Sequence, residues 1–114
     1  MTFVVLIDID VDYDYMTKYG LFDVLSQKIE WCTKAFNIDV EYLNIDKSQC
    51  NHVHLHMISR NNLDPETVFQ LKYCVGEDHK RLNYSIRRYE KTGKILDFFW
   101  MHKVKDCKEK EEEK

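Results

Sequence analysis

The stretch Asn51-His52-Val53-His54-Leu55-His56-Met57-Ile58-Ser59 decides how this chain is read. Three of the five histidines stand in it, at every second position. A strand sends alternate side chains to opposite faces, so His52, His54 and His56 share one face and Val53, Leu55 and Met57 the other. The apolar set calls for a helix-covered core. Packing alone does not account for a face of imidazoles. Two imidazoles two residues apart on a strand are placed to hold one divalent ion. Neutral imidazole suits transition metals, and added oxygen ligands extend the choice to Mn²⁺ or Mg²⁺. The competing explanation is a chance cluster of histidines on a solvated sheet face. Three in strict alternation beside an available acid weigh toward metal.

Upstream, residues 39–46 read as a strand that the short polar turn 47–51 joins to the histidine strand as a hairpin. Leu43 and Ile45 then join the apolar face, and Tyr42, Asn44 and Asp46 the histidine face. Asp46 is the natural carboxylate partner. Glu41 is the fallback, on the wrong face by parity. Residues 3–11 read as a first strand, with Val5, Ile7 and Ile9 alternating against Leu6, Asp8 and Asp10, so that one face ends in acid. Between these strands, Leu21, Phe22, Leu25, Ile29, Cys32 and Phe36 form an apolar stripe on a helix over 16–36, closed at Asn37.

Downstream, residues 67–75 carry two signals. Asp64-Pro65-Glu66 resembles a helix start, yet Phe69, Leu71, Tyr73 and Val75 alternate, and the alternation favours a strand. Residues 78–91 predict a helix ended by Gly93, 95–103 a last strand, and 105–114 a charged, disordered tail. The sum is an α+β domain over 1–104, with an antiparallel sheet of four to five strands and two main helices, of the ferredoxin-like kind.

Composition bounds the function. With 114 residues and 44% hydrophobic content, the chain can bury one core without staples. No apolar run approaches the length of a bilayer span, which predicts no membrane partner. No signal peptide is evident at the N-terminus, so the expected location is the cytoplasm, or the host cytoplasm for a viral protein. Cys32, Cys50, Cys74 and Cys107 form no C-x-x-C pair, which argues against a zinc ribbon and for reduced thiols. A net charge of -3 means that any contact with nucleic acid must be local.

The run Asn51-His52-Val53-His54-Leu55-His56 resembles the histidine-hydrophobe-histidine strand of the HUH endonucleases, which include rolling-circle replication initiators (Rep proteins), relaxases and single-tyrosine transposases. In Rep proteins an acidic ligand lies on the preceding strand, less than a dozen residues upstream, and Asp46 stands at such a spacing. The order of elements is also similar to the small Rep catalytic domain, with the Rep proteins of archaeal rod-shaped viruses the nearest type. The resemblance implies a metal-dependent nickase acting on single-stranded or hairpin DNA, in which a tyrosine joins to the 5′ end and a 3′-hydroxyl is freed. It implies His54 and His56, with His52 as alternate, and Asp46 as ligands of Mn²⁺ or Mg²⁺. With no helicase segment in the chain, unwinding would fall to partner replication machinery.

Two tyrosines on the helix 78–91 are candidate nucleophiles, with Tyr89 preferred slightly over Tyr84. Tyr89 shares a face with Leu82 and Ile86, and Tyr89-Glu90-Lys91-Thr92-Gly93 resembles the tyrosine-to-lysine-to-glycine motif of viral Rep proteins, one residue short between Tyr and Lys. Tyr84 lies among Lys80, Arg81, Arg87, Arg88 and Lys91, a cationic set that would hold DNA phosphates and favour an ionised phenol. Five residues apart, the two tyrosines do not share a helix face, which points to a single nucleophile. Single-tyrosine transposases place theirs after the final strand, where this chain has none. A homodimer would supply the second nucleophile that strand transfer needs, and Trp31 and Trp100 read as core or interface residues. Three other readings stand beside this one. One is a single-tyrosine transposase, and another a non-catalytic DNA-binding module of the same fold. The third is a nuclease similar to Cas2, which would use Asp8 or Asp10 on the acidic strand and form no covalent adduct.

Overall fold

A computed structural model describes residues 3–95. The elements run β1 (Phe3–Ile9), α1 (Tyr13–Lys18), α2 (Leu21–Ala35), β2 (Val40–Lys47), β3 (Val53–Ser59), α3 (Pro65–Val75) and α4 (His79–Thr92). The three strands form one antiparallel sheet in the order β1-β3-β2. The histidine strand is therefore central. β1 and β2 both run against it and are parallel to each other, with α1 and α2 crossing between them, which makes a split β-α-β unit.

The α+β class matches the sequence pattern, while the element count differs. Three strands and four helices are present among the described residues, where four to five strands and two main helices were expected. Residues 67–75 are helical, not extended. Asp64 caps α3, its carboxylate accepting from the Thr67 N–H at 2.8 Å, Pro65 opens the first turn, and Gly76 closes it at φ 107°. Hydrogen bonds from the Thr67 side chain and backbone hold the Asp64 carboxyl below its ordinary range. Burial settles the period: Val68, Leu71, Lys72 and Val75 are buried, while Tyr73, a member of the alternating set, is exposed. Those buried positions fall at three- and four-residue steps, the spacing of one helix face. The helix expected over 16–36 is two helices, because Gly20 adopts φ 66° between them. Asn37, at φ 56°, follows the end of α2 as expected. The expected strand 95–103 lies outside the described residues from position 96 on, as does the tail 105–114.

One face of the sheet carries Val5, Ile7, Ile9, Val53, Leu55 and Met57, and these form a single cluster with Leu25, Ile29 and Cys32 of α2 and Val68, Leu71 and Val75 of α3. Cys32, Cys50 and Cys74 do not stand as reduced thiols: Cys50 is disulfide-bonded, and a disulfide joins Cys32 to Cys74 and ties α2 to α3 across a Cα–Cα distance of 6.2 Å. Trp31 is not a core residue, being 69% exposed on α2. Among the described residues no helix is long and apolar enough to cross a membrane.

Candidate metal centre

The register of the sheet builds the site. His54 stands opposite Asp8 of β1 and Asp46 of β2, so the three strands contribute one row of Asp, His and Asp. One row along, His56 faces Leu6 and Asn44. The hairpin parity expected from the sequence holds, because Leu43 and Ile45 pair with core residues Met57 and Leu55, while Asn44 and Asp46 pair with histidines. Glu41 sits by the irregularity at the start of β2, with Arg60 Nε 3.8 Å away.

The two carboxylates flanking His54 have different surroundings. Asp46 is exposed, and its Oδ2 accepts a hydrogen bond from Asn44 Nδ2 at 2.6 Å. Asp8 is mostly enclosed. Its Oδ1 is shut off from solvent and has no hydrogen-bond partner among the described residues, while His54 Nε2 stands 3.7 Å away. A second pair runs beside the first, with His52 Nδ1 3.0 Å from Asp10 Oδ1. The remaining acids of the first strand do other work. β1 ends at Ile9, Asp12 caps α1 and accepts from Asn51 Nδ2 at 2.6 Å, and Asp14 faces Lys47 at 3.5 Å. The acidic ladder is thus divided between two histidine pairs, a helix cap and a surface ion pair.

Asp8 is held through its backbone. β1 is an edge strand, and the α3–α4 joint covers its open edge. Lys72 Nζ donates to the Leu6 carbonyl at 2.8 Å, the Asp8 N–H donates to Glu77 Oε1 at 3.2 Å, and the Asp78 N–H donates to the Asp8 carbonyl at 2.7 Å. Lys72 and Glu77 are wholly buried, with Nζ and Oε2 3.5 Å apart. The sequence reading missed this pair. Its one legible signal is that Lys72 falls on the apolar stripe of α3, a position visible only once residues 65–75 are taken as a helix.

The two tyrosines go to different places. Tyr89 packs edge-on against Phe69 of α3, with ring centroids 5.9 Å apart, in a groove that Asp64, Glu66 and Glu90 also line. Tyr84 is exposed, with the Arg88 guanidinium 5.6 Å from its ring centroid, and it shares a surface depression with Arg87, Arg88 and Lys91. Of the expected phosphate-binding cations, Lys80, Arg87 and Lys91 are exposed and Arg88 is half-buried. Arg81 differs from these, since it is largely buried with Nε 3.4 Å from Glu77 Oε1.

No group of three or more His, Cys, Asp and Glu side chains converges as a ready ligand set among the described residues. The fit to a divalent ion therefore rests on a pair of donors, His54 Nε2 and the orphaned Asp8 Oδ1, with His56 the next imidazole on the same face. An enclosed carboxylate oxygen lacking a donor, next to an imidazole nitrogen, is suited to a cation. Comparison with protein-family models, with curated proteins and with solved structures gives no match.

Proposed function

We propose that this chain is a metal-dependent DNA nicking and joining endonuclease of the HUH type, working as a replication initiator. The observation that carries the reading is the row across the sheet: a central strand presenting His54 and His56 on one face, with a carboxylate in register on each side. A divalent ion bound there would supply Lewis-acid polarisation of a scissile phosphate. The phenol of a tyrosine attacks phosphorus, so that an Oη–P bond forms as the P–O3′ bond breaks. The phenol proton leaves, and the departing 3′ oxygen takes up a proton to become a free hydroxyl. Because the phosphodiester is exchanged rather than hydrolysed, the reverse attack by a 3′-hydroxyl rejoins a strand.

Electrostatics favour Tyr84 over Tyr89 as the nucleophile. Asp64, Glu66 and Glu90 line the groove of Tyr89 with no Lys or Arg and would repel a DNA phosphate, whereas at Tyr84 the three cations Arg87, Arg88 and Lys91 stand against Glu90 alone and would attract one. Single-stranded or hairpin DNA is the proposed partner, a homodimer the proposed assembly, and the cytoplasm of a cell or viral host the proposed location.

The second reading is a DNA-binding module without catalysis. It is favoured by the pairing of His52 Nδ1 with Asp10 Oδ1 at 3.0 Å, which gives an imidazole of this face a protein partner. Incubating the protein with a labelled pool of single-stranded and hairpin DNA and Mn²⁺, followed by a denaturing gel, separates the two. A metal-dependent covalent band that persists in Tyr89→Phe and disappears in Tyr84→Phe is expected. Loss in Tyr89→Phe alone would transfer the role to Tyr89. Absence of both cleavage and adduct would favour the binding module.

A further inference from the structure

We propose that Asp8, rather than Asp46, is the carboxylate that completes a divalent-ion site with His54, and that the buried Lys72–Glu77 pair is its positioning device. This inference rests on the metal reading above and names the ligand that the sequence alone assigns to the other strand.

The two acids flanking His54 differ in what they would lose and gain on binding an ion. Asp46 is exposed and already accepts the Asn44 amide, so an ion must compete there with water and with a hydrogen bond. Asp8 Oδ1 has neither water access nor a donor among the described residues. A carboxylate oxygen enclosed without a hydrogen-bond donor is a cost to the folded chain, and a cation removes that cost. The separation also fits. Two donors each about 2.1 Å from one ion stand about 3.0–3.4 Å apart in octahedral or tetrahedral geometry. Asp8 Oδ1 and His54 Nε2 are 3.7 Å apart, too far for a hydrogen bond and within a small side-chain adjustment of sharing an ion.

Preorganisation is the second strand of the argument. A ligand works best when its own backbone cannot drift. Glu77 takes the Asp8 N–H and Asp78 takes the Asp8 carbonyl, so both outward backbone groups of this one residue are bound to the α3–α4 joint. Lys72 fixes the adjacent Leu6 carbonyl and lies beside Glu77 with no solvent around either. A buried charge pair is costly to assemble, and here it is spent on the edge of the strand that presents Asp8. Among the described residues Asp46 has no comparable fixture, standing near the end of β2.

The test reads binding of Mn²⁺ alone, without DNA or turnover. Free Mn²⁺ is followed by electron paramagnetic resonance as wild-type protein, Asp8→Asn, Asp46→Asn and His54→Ala are titrated, with far-UV circular dichroism confirming each fold. Asp8→Asn and His54→Ala are expected to weaken binding roughly tenfold or more, and Asp46→Asn to leave it near the wild-type value. Strong loss in Asp46→Asn with retention in Asp8→Asn would overturn the assignment and leave the metal reading standing. Wild-type protein that binds no Mn²⁺, or His54→Ala that binds as well as wild type, would overturn the metal reading itself. A measurement on the unmutated chain covers the case in which Asp8→Asn does not fold. With ¹³C-labelled aspartate, substoichiometric Mn²⁺ should broaden the Asp8 carboxyl resonance more than that of Asp46. The opposite order would refute the proposal.

Discussion

Buried charge at Lys72 and Glu77 shows how one residue pair can govern a strand edge. They stand 3.5 Å apart, wholly buried, and Arg81 Nε adds a second cation 3.4 Å from Glu77. Removing one partner of such a pair leaves an uncompensated charge and costs about 3–5 kcal/mol. Glu77→Gln is therefore expected to lower the unfolding free energy by about that amount, read from urea titrations at neutral pH. It should also weaken Mn²⁺ binding under conditions where the variant stays folded, because the Asp8 N–H loses a charged acceptor. An unchanged denaturation midpoint would show that the buried carboxylate of Glu77 does not carry this stability. Gly20 belongs to the same scale. Its φ of 66° is left-handed, and a side chain there would meet nothing within 4 Å. Gly20→Ala should thus cost about 1 kcal/mol through backbone strain alone.

At the scale of elements, α3 is defined by its ends and its stripe. The depressed Asp64 carboxyl means that its contribution to stability is fully present above its unfolded-state titration range and is lost as pH falls through the lower folded value. Asp64→Asn should therefore narrow the stability difference between neutral and acid pH, which thermal melts across pH 2–6 would register (about the carboxylate titration range). A flat difference would remove the cap from the account. The disulfide joins α2 and α3 over a sequence separation of 42 residues. Closing a loop of that size in the unfolded chain is worth about 4 kcal/mol on the entropic model. Because Cys50 is disulfide-bonded too, the bond is removed alone by Cys32→Ser with Cys74→Ser, which should lower stability by that order; an unchanged melt would show that core packing suffices. α3 is also where local reading failed. Phe69, Leu71, Tyr73 and Val75 satisfy a period of two, while Val68, Leu71, Lys72 and Val75 satisfy a period near 3.6. The capping signals at Asp64 and Pro65 agreed with the second pattern and outweigh the first.

Across the whole molecule, basic charge is segregated rather than in excess, with 17 basic against 20 acidic residues. The net charge is -3, yet α4 displays Lys80, Arg87, Arg88 and Lys91 within one helix. Binding of single-stranded DNA through this helix should fall steeply with salt. Each neutralised phosphate contributes a slope of about -0.7 in log K against log salt. Arg87→Ala and Lys91→Ala should each lower the magnitude of that slope by about one such increment, measured by fluorescence anisotropy. Arg81→Ala should lower stability more than it lowers the slope, since its guanidinium lies beside Glu77. Slopes that stay at the wild-type value in both surface variants would place the DNA elsewhere on the chain.

The sequence by itself determined the faces of the hairpin. Alternation is a property of neighbouring residues, so His54 and His56 opposite Val53, Leu55 and Met57, and Asp46 on the histidine face, were legible without knowledge of the rest, whereas the register that sets Asp46 against His54 was not. It also determined the class of fold and the apolar stripe of α2, which depend on local periods. Only the tertiary structure decided that β1 lies on the other side of the histidine strand and brings Asp8 to His54. It alone revealed that Lys72 and Glu77 close the edge beside Asp8, and that Tyr84 and Tyr89 face surroundings of opposite charge. Those facts depend on pairing between segments distant along the chain, and on which polar atoms the packed core leaves without water. Neither quantity has a local pattern in the residues themselves.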